Sequence, residues 1–204
     1  MTTANKITIF RIVMIPVILI FMLLGKPLLQ YFIQEVKITE KFNIDLLWFL
    51  AGILFIIAAF SDFLDGYLAR KNKQITKFGK IFDPVADKML VNSVFIVMTV
   101  VNIIPLWLTL IIILRDILID GIRMALISEN IVLAAGIYGK LKTTMQLIGL
   151  SILFFINHYW IEDLKESSII WHITLLPLYF ALLFSIWSAI VYCYQTFKFL
   201  KPNK

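Results

Sequence analysis

The chain has 204 residues, 61% of them hydrophobic, and a mean hydropathy of +0.91, which excludes an ordinary soluble domain. Its net charge is +6, but no interleaved basic and aromatic run accompanies it, so nucleic acid is not an expected partner. A single cysteine, Cys193, excludes an intramolecular disulfide framework and reads as a small apolar helix residue.

Apolar runs of spanning length recur along the chain, since about 20 helical residues cross the roughly 30 Å hydrocarbon core. Six spans are expected, at 7–25, 46–68, 84–103, 105–128, 141–160 and 168–197. Little chain remains between them. The expected fold is an all-α integral-membrane bundle of six transmembrane helices, with residues 1–204 forming one domain. The first run is not read as a cleaved leader: Arg11 interrupts its start and no small-x-small site follows Gly25. The stretch from Gln30 to Asp45 is too short and too charged to span.

The placement of charge sets the orientation. With six spans, Lys6, Arg11, the Arg70–Lys80 segment, Lys140, Lys142 and Lys198 share a side with both termini. The other side balances Lys26, Lys37, Lys41 and Lys165 with six acids. The positive-inside rule then puts both termini in the cytoplasm, and the basic surface faces anionic lipid head groups and phosphorylated substrates. His158 and His172 flank the expected outer loop, where Tyr159, Trp160 and Trp171 suggest an interfacial aromatic belt.

The densest chemistry lies between residues 62 and 87. Asp62-Phe-Leu-Asp65-Gly66-Tyr-Leu-Ala69-Arg70 is followed, eight residues on, by Gly79-Lys-Ile-Phe-Asp83-Pro-Val-Ala-Asp87. A charge at mid-bilayer costs roughly 2.5 to 3.5 kcal/mol, so four acids at a membrane edge need neutralising. Asp62 and Asp65 are spaced i, i+3, and Asp83 and Asp87 i, i+4, so each pair shares one helix face. Two such faces form an all-oxygen donor set suited to Mg²⁺, Mn²⁺ or Ca²⁺. Pro84 disfavours helix at Asp83 and is expected to mark a helix start.

This stretch resembles the signature of the CDP-alcohol phosphatidyltransferases, D-x2-D-G-x2-A-R-x8-G-x3-D-x3-D, and fills all eight fixed positions. At about one chance in twenty per position, eight matches are not coincidence. The resemblance implies a cytoplasm-facing site for two divalent cations, Mg or Mn, held by Asp62, Asp65, Asp83 and Asp87. It makes Asp87 the general base as well. It also implies that Gly66, Ala69 and Gly79 border the cytidine pocket of a CDP-linked lipid, with Arg70 positioned to pair with the pyrophosphate. For Gly79 plain helix packing is the alternative, and for Arg70 a side chain snorkelling to the interface.

A second group lies in the fourth apolar run and after it: Arg115, Asp116, Asp120, Gly121 and Arg123, then Gly139-Lys140-Leu141-Lys142-Thr143. Ionisable groups within an apolar run are functional candidates. Arg115 and Asp116, at i, i+1, are not expected to face each other, whereas Asp120 and Arg123, at i, i+3, could pair structurally. The functional expectation is that Arg115, Arg123 and Lys140 hold the phosphate of an acceptor alcohol.

The opening Asn5-x2-Thr8-x2-Arg11-x4-Pro16, the run Gly79–Lys88 and Gly139-Lys-Leu-Lys-Thr143 are similar to the branch of the family that joins CDP-diacylglycerol to sn-glycerol 3-phosphate. One departure is Asp116, where Glu is expected after Arg in many members. The resemblance implies an enzyme of the bacterial cytoplasmic membrane, working among membrane lipids as a homodimer. Within the family, a cardiolipin synthase or an enzyme for inositol phosphate or serine shares the core motif. A small transporter fits poorly, because the acids cluster at one face and not through the depth.

Overall fold

The computed structural model describes residues 3–24, 46–71, 77–128, 136–156 and 168–200, with side chains described over 7–24, 46–61, 85–126, 136–156 and 169–197. Among the described residues the regular structure is entirely helical: α1 (Thr3–Leu24), α2 (Leu46–Lys71), α3 (Lys77–Val100), α4 (Leu106–Ser128), α5 (Ile137–Phe155), the short α6 (Ser168–Thr174) and α7 (Leu176–Leu200). The first five apolar runs each overlap a long helix, and the sixth falls on α6 and α7. Packing contacts run from α1 to α2, α5, α7, α4, α3 and back to α1, so the six long helices close a ring. Helix α3 also touches α2 and α5, which fills the middle.

The interior is not purely apolar and the exterior is not polar. Ile18, Met22, Phe55, Phe95, Leu108, Ile112 and Leu150 are fully buried, but so are Thr8, Arg11 and Ser185. Outward-facing positions instead carry Val13, Ile20, Phe60, Leu110, Leu114, Ile117, Leu183 and Ile190. A soluble fold does not leave so much contiguous apolar surface in water. Ile7–Leu24 and Leu176–Phe197 are long and apolar enough to cross a membrane, and only 28% and 22% of their residues are buried. A helix sunk in a soluble core would be mostly buried, so this surface suits lipid.

Where lipid removes the hydrophobic drive for helix association, close approach must supply it. Gly52 on α2 lies against Phe154 on α5: a Cβ there would stand 2.8 Å from Phe154 Cβ. Gly149 on α5 likewise admits Leu178 of α7, whose Cδ2 would be 2.5 Å from an added Cβ. Phe154 packs its ring against Trp48 and Phe55, with centroids 5.6 and 5.4 Å apart.

The α3–α4 connection is a tight helical stop. Asn102 takes a left-handed conformation, φ 59°. Its amide donates to Thr99 O at 2.9 Å, and Ile103 N donates to Met98 O at 2.8 Å. This is a Schellman closure, with Asn in the place usually held by Gly and buried Ile103 covering buried Met98. Pro105 follows and α4 begins at Leu106. Thr99 and Thr109 hydroxyls, 2.6 Å apart, tie the two helices beside the turn.

Two expectations about helix bounds, at Pro84 and over 168–197, are corrected. Helix α3 begins at Lys77, not at Pro84. Pro84 has no amide to offer the carbonyl of Lys80, yet the helix continues through it, at the local loss of one bond. The run 168–197 is not one helix either: it breaks at Leu175 between α6 and α7. Pro177 explains the break, since its ring excludes the carbonyl four residues back and it suits the first turn of a new helix. Leu178 N and Tyr179 N restart the ladder on Leu175 O. Trp171, expected at an interface, is instead 9% exposed and packs in the core.

Candidate functional site

Helix directions decide which residues can meet. Gly149 meets Leu178 and Gly139 meets Ser188, so α5 and α7 are antiparallel. Trp107 stacks on Tyr179 and Arg123 lies over Tyr192, so α4 and α7 run in parallel. The start of α2 packs on the end of α5 through Phe49 and Phe155. The end of α2, the start of α3, the end of α4, the start of α5 and the end of α7 therefore gather at one end of the bundle. Every site residue singled out from the sequence belongs to these segments.

Asp62, Asp65, Gly66, Ala69 and Arg70 fall in the last turns of α2, and Gly79, Asp83 and Asp87 in the first three turns of α3. The two helices are in contact and are joined by residues 72–76. The side chains of Asp62, Asp65, Gly66, Ala69, Arg70, Gly79 and Asp83 lie outside the described residues. Among the described residues no cluster of three potential metal ligands occurs, Asp87 being the one member of the quartet within them. The donor chemistry fits hard divalent cations: four carboxylates, paired at i, i+3 and i, i+4 on two helices in contact.

The second group is described in full. Asp116 is buried, and its Oδ1 accepts from Lys142 Nζ of α5 and, at 3.0 Å, from Arg115 NH1. This corrects the i, i+1 expectation, which holds for short side chains; the arginine is long enough to fold back on its neighbour. Asp120 pairs with Lys88 of α3 and not with Arg123. Arg123 instead places its guanidinium 5.8 Å from the ring centre of Tyr192. Lys88 also lies in the field of Asp116, Lys142, Arg123 and Asp87, and Lys142 in that of Asp87. Asp87, the described member of the quartet, is thus felt by Lys88 of α3 and Lys142 of α5.

Of the three expected phosphate-holding cations, Arg115 lies inside the bundle, while Arg123 and Lys140 are exposed. The buried lysine is Lys142. The apolar face of α5 runs through Leu153, Leu150, Gly149 and Gln146 to Lys142, a helical stripe that bypasses Lys140. Extending that stripe backwards from Leu153 would have selected Lys142. Lys88 closed the quoted Gly79–Lys88 run without a role, and only the fold shows its partner. Gln146 and Tyr192 were likewise passed over, having no charge to mark them.

Ser185 was passed over as well. Pairing Gly149 with Leu178 and Gly139 with Ser188 puts position 185 level with Lys142. The pairings Trp107–Tyr179 and Arg123–Tyr192 put it level with Arg115 and Asp116. Among the described residues, Ser185 Oγ, Gln146 Nε2, Arg115 Nε and Tyr192 OH are buried with no hydrogen-bond partner. Unsatisfied buried donors beside a group of net positive charge suit an anion.

Residues 1–187 match the CDP-alcohol phosphatidyltransferase family, and the chain belongs to it. It is 37% identical over 204 residues to the CDP-diacylglycerol–glycerol-3-phosphate 3-phosphatidyltransferase of Mycoplasma genitalium, covering 97% of this chain and 85% of that protein. The same-named protein of Mycoplasma pneumoniae is 32% identical, over 97% of this chain and 88% of its own length. That of Bacillus subtilis is 37% identical over 153 residues, 75% of this chain and 76% of that protein.

Proposed function

We propose that this enzyme transfers the phosphatidyl group of CDP-diacylglycerol to sn-glycerol 3-phosphate, forming phosphatidylglycerophosphate and releasing CMP. The observation that carries it is the complete eight-position motif on α2 and α3, beside the part-buried Arg115 and the buried Lys142. One half suits a CDP-linked lipid and the other a phosphorylated alcohol. The names of the relatives agree with this pairing.

In this mechanism Asp87 takes the proton of the acceptor hydroxyl. The hydroxyl oxygen bonds to the phosphorus that carries diacylglycerol, and the bond from that phosphorus to the bridging oxygen breaks. CMP leaves with the bridging oxygen. Asp62, Asp65, Asp83 and Asp87 would hold two divalent cations, Mg or Mn, which would offset the negative charge that develops in the transfer. Gly66, Ala69 and Gly79 line the cytidine side and Arg70 meets the pyrophosphate. Arg115 holds the acceptor phosphate with Lys142, while Arg123 and Lys140 supply positive charge at the mouth.

The setting is a bacterial cytoplasmic membrane crossed six times, with both termini and the site in the cytoplasm. Residues 1–204 act as one domain, paired with a second copy. The outward apolar surface supports the membrane setting, and the one-sided charge the orientation. The test is CMP release by purified protein given CDP-diacylglycerol, Mg²⁺ or Mn²⁺, and each candidate acceptor in turn. Release with glycerol 3-phosphate is expected. Release with phosphatidylglycerol and not with glycerol 3-phosphate would overturn the substrate.

A further inference from the structure

Asp116 is a buried anion placed among cations that are meant to receive a phosphate, and at first sight it works against them. One oxygen, Oδ1, accepts from both Arg115 NH1, at 3.0 Å, and Lys142 Nζ. These cations come from different helices, α4 and α5, whose residues are 26 positions apart in the chain for the Lys142–Asp116 pair. Lys142 and Arg115 are long side chains with several rotatable bonds, and a shared acceptor removes that freedom before any ligand arrives. Lys142 Nζ carries further protons to donate, and among the described residues Arg115 Nε is buried without a partner. The trio keeps a net charge of +1.

We propose that Asp116 is a positioning residue: it fixes Lys142 and Arg115 in the geometry that receives the acceptor's phosphate, acting through them and not on the substrate. This rests on the acceptor assignment above. A carboxylate with no such role would merely oppose the incoming anion, and its removal would tighten acceptor binding. A positioning carboxylate gives the opposite sign.

The experiment measures KM for glycerol 3-phosphate and for CDP-diacylglycerol in Asp116→Asn, Asp116→Glu, Lys142→Met and the double variant Asp116→Asn/Lys142→Met. Asp116→Asn should raise KM for glycerol 3-phosphate about 10-fold or more, with KM for CDP-diacylglycerol within about 2-fold. Asp116→Glu, which keeps the charge, should recover most of the loss. The double variant should match Lys142→Met within about 2-fold, because a residue acting through Lys142 has little left to do without it. The double variant leaves neither member of the buried Lys142–Asp116 pair without its partner, so it carries the test even where Asp116→Asn fails to fold. A lowered KM for glycerol 3-phosphate in Asp116→Asn, equal changes in both KM values, or full multiplication of the two single effects would overturn the proposal. Wild-type protein inactive with glycerol 3-phosphate would instead overturn the acceptor assignment itself.

Discussion

At the residue scale, chemistry separates groups that the sequence lists side by side. On the proposed assignment, Asp62→Asn, Asp65→Asn and Asp83→Asn each remove one ligand charge, and each should abolish CMP release while the protein still inserts and purifies. Near wild-type release at ordinary Mg²⁺ in any of them would remove that residue from the ligand set. Asp87→Asn should lower kcat by about 10² to 10⁴, the usual cost of losing a general base, with CDP-diacylglycerol binding largely kept. Loss of that binding, to the degree seen in Asp62→Asn, would make Asp87 chiefly a ligand. The neighbouring lysines should differ sharply. Lys142→Met removes a charge-assisted bond of about 1.5 to 3 kcal/mol, hence a rise of roughly 10- to 150-fold in KM for glycerol 3-phosphate. Lys140, exposed to solvent, should give far less in the same assay. The motif acids stand out in the sequence because eight fixed spacings leave little freedom. The choice between Lys140 and Lys142 was legible only through the stripe of α5, and the Lys88–Asp120 pair was not legible at all. Two helices must be docked before that pair exists.

At the element scale, the hydrophobic runs specify helices closely, but prolines and glycines have to be read through their neighbours. Pro84 and Pro177 carry the same local chemistry, yet the helix runs through one and breaks at the other. The break at Leu175 lets α6 turn while Leu175 itself stays fully buried, so packing chose between continuing and stopping. Local propensity alone does not contain that choice. The same holds for Gly52, which reads as an ordinary small residue until Phe154 is placed against it. A Cβ at Gly52 would meet the Cβ of Phe154, an atom fixed close to its backbone, so the helices must separate. Gly52→Ala should therefore destabilise by about 1 to 3 kcal/mol, as overpacking does. Thermal unfolding of the solubilised protein checks this. An unchanged midpoint would show that α2 and α5 can part without loss.

At the scale of the whole molecule, the ring order α1, α2, α5, α7, α4, α3 brings distant chain segments to one end. That end carries the acid quartet, Lys88, Asp120, Arg123 and the start of α5, while the tight Asn102 turn lies at the other. If the bundle spans the membrane with the basic end in the cytoplasm, accessibility must follow this division. Cys193 replaced by Ser gives a background for single cysteines at Thr3, Gly136 and Leu106. Leu106 is 61% exposed and opens α4 just after the turn, so Leu106→Cys should react with a membrane-impermeant maleimide added to intact cells. Thr3→Cys and Gly136→Cys should react only after the membrane is permeabilised. The reverse pattern would invert the orientation and put the site on the wrong side for its nucleotide-linked substrate. Labelling of Leu106→Cys and Gly136→Cys from the same side would refute the crossing of α4 itself, whatever the orientation of the rest.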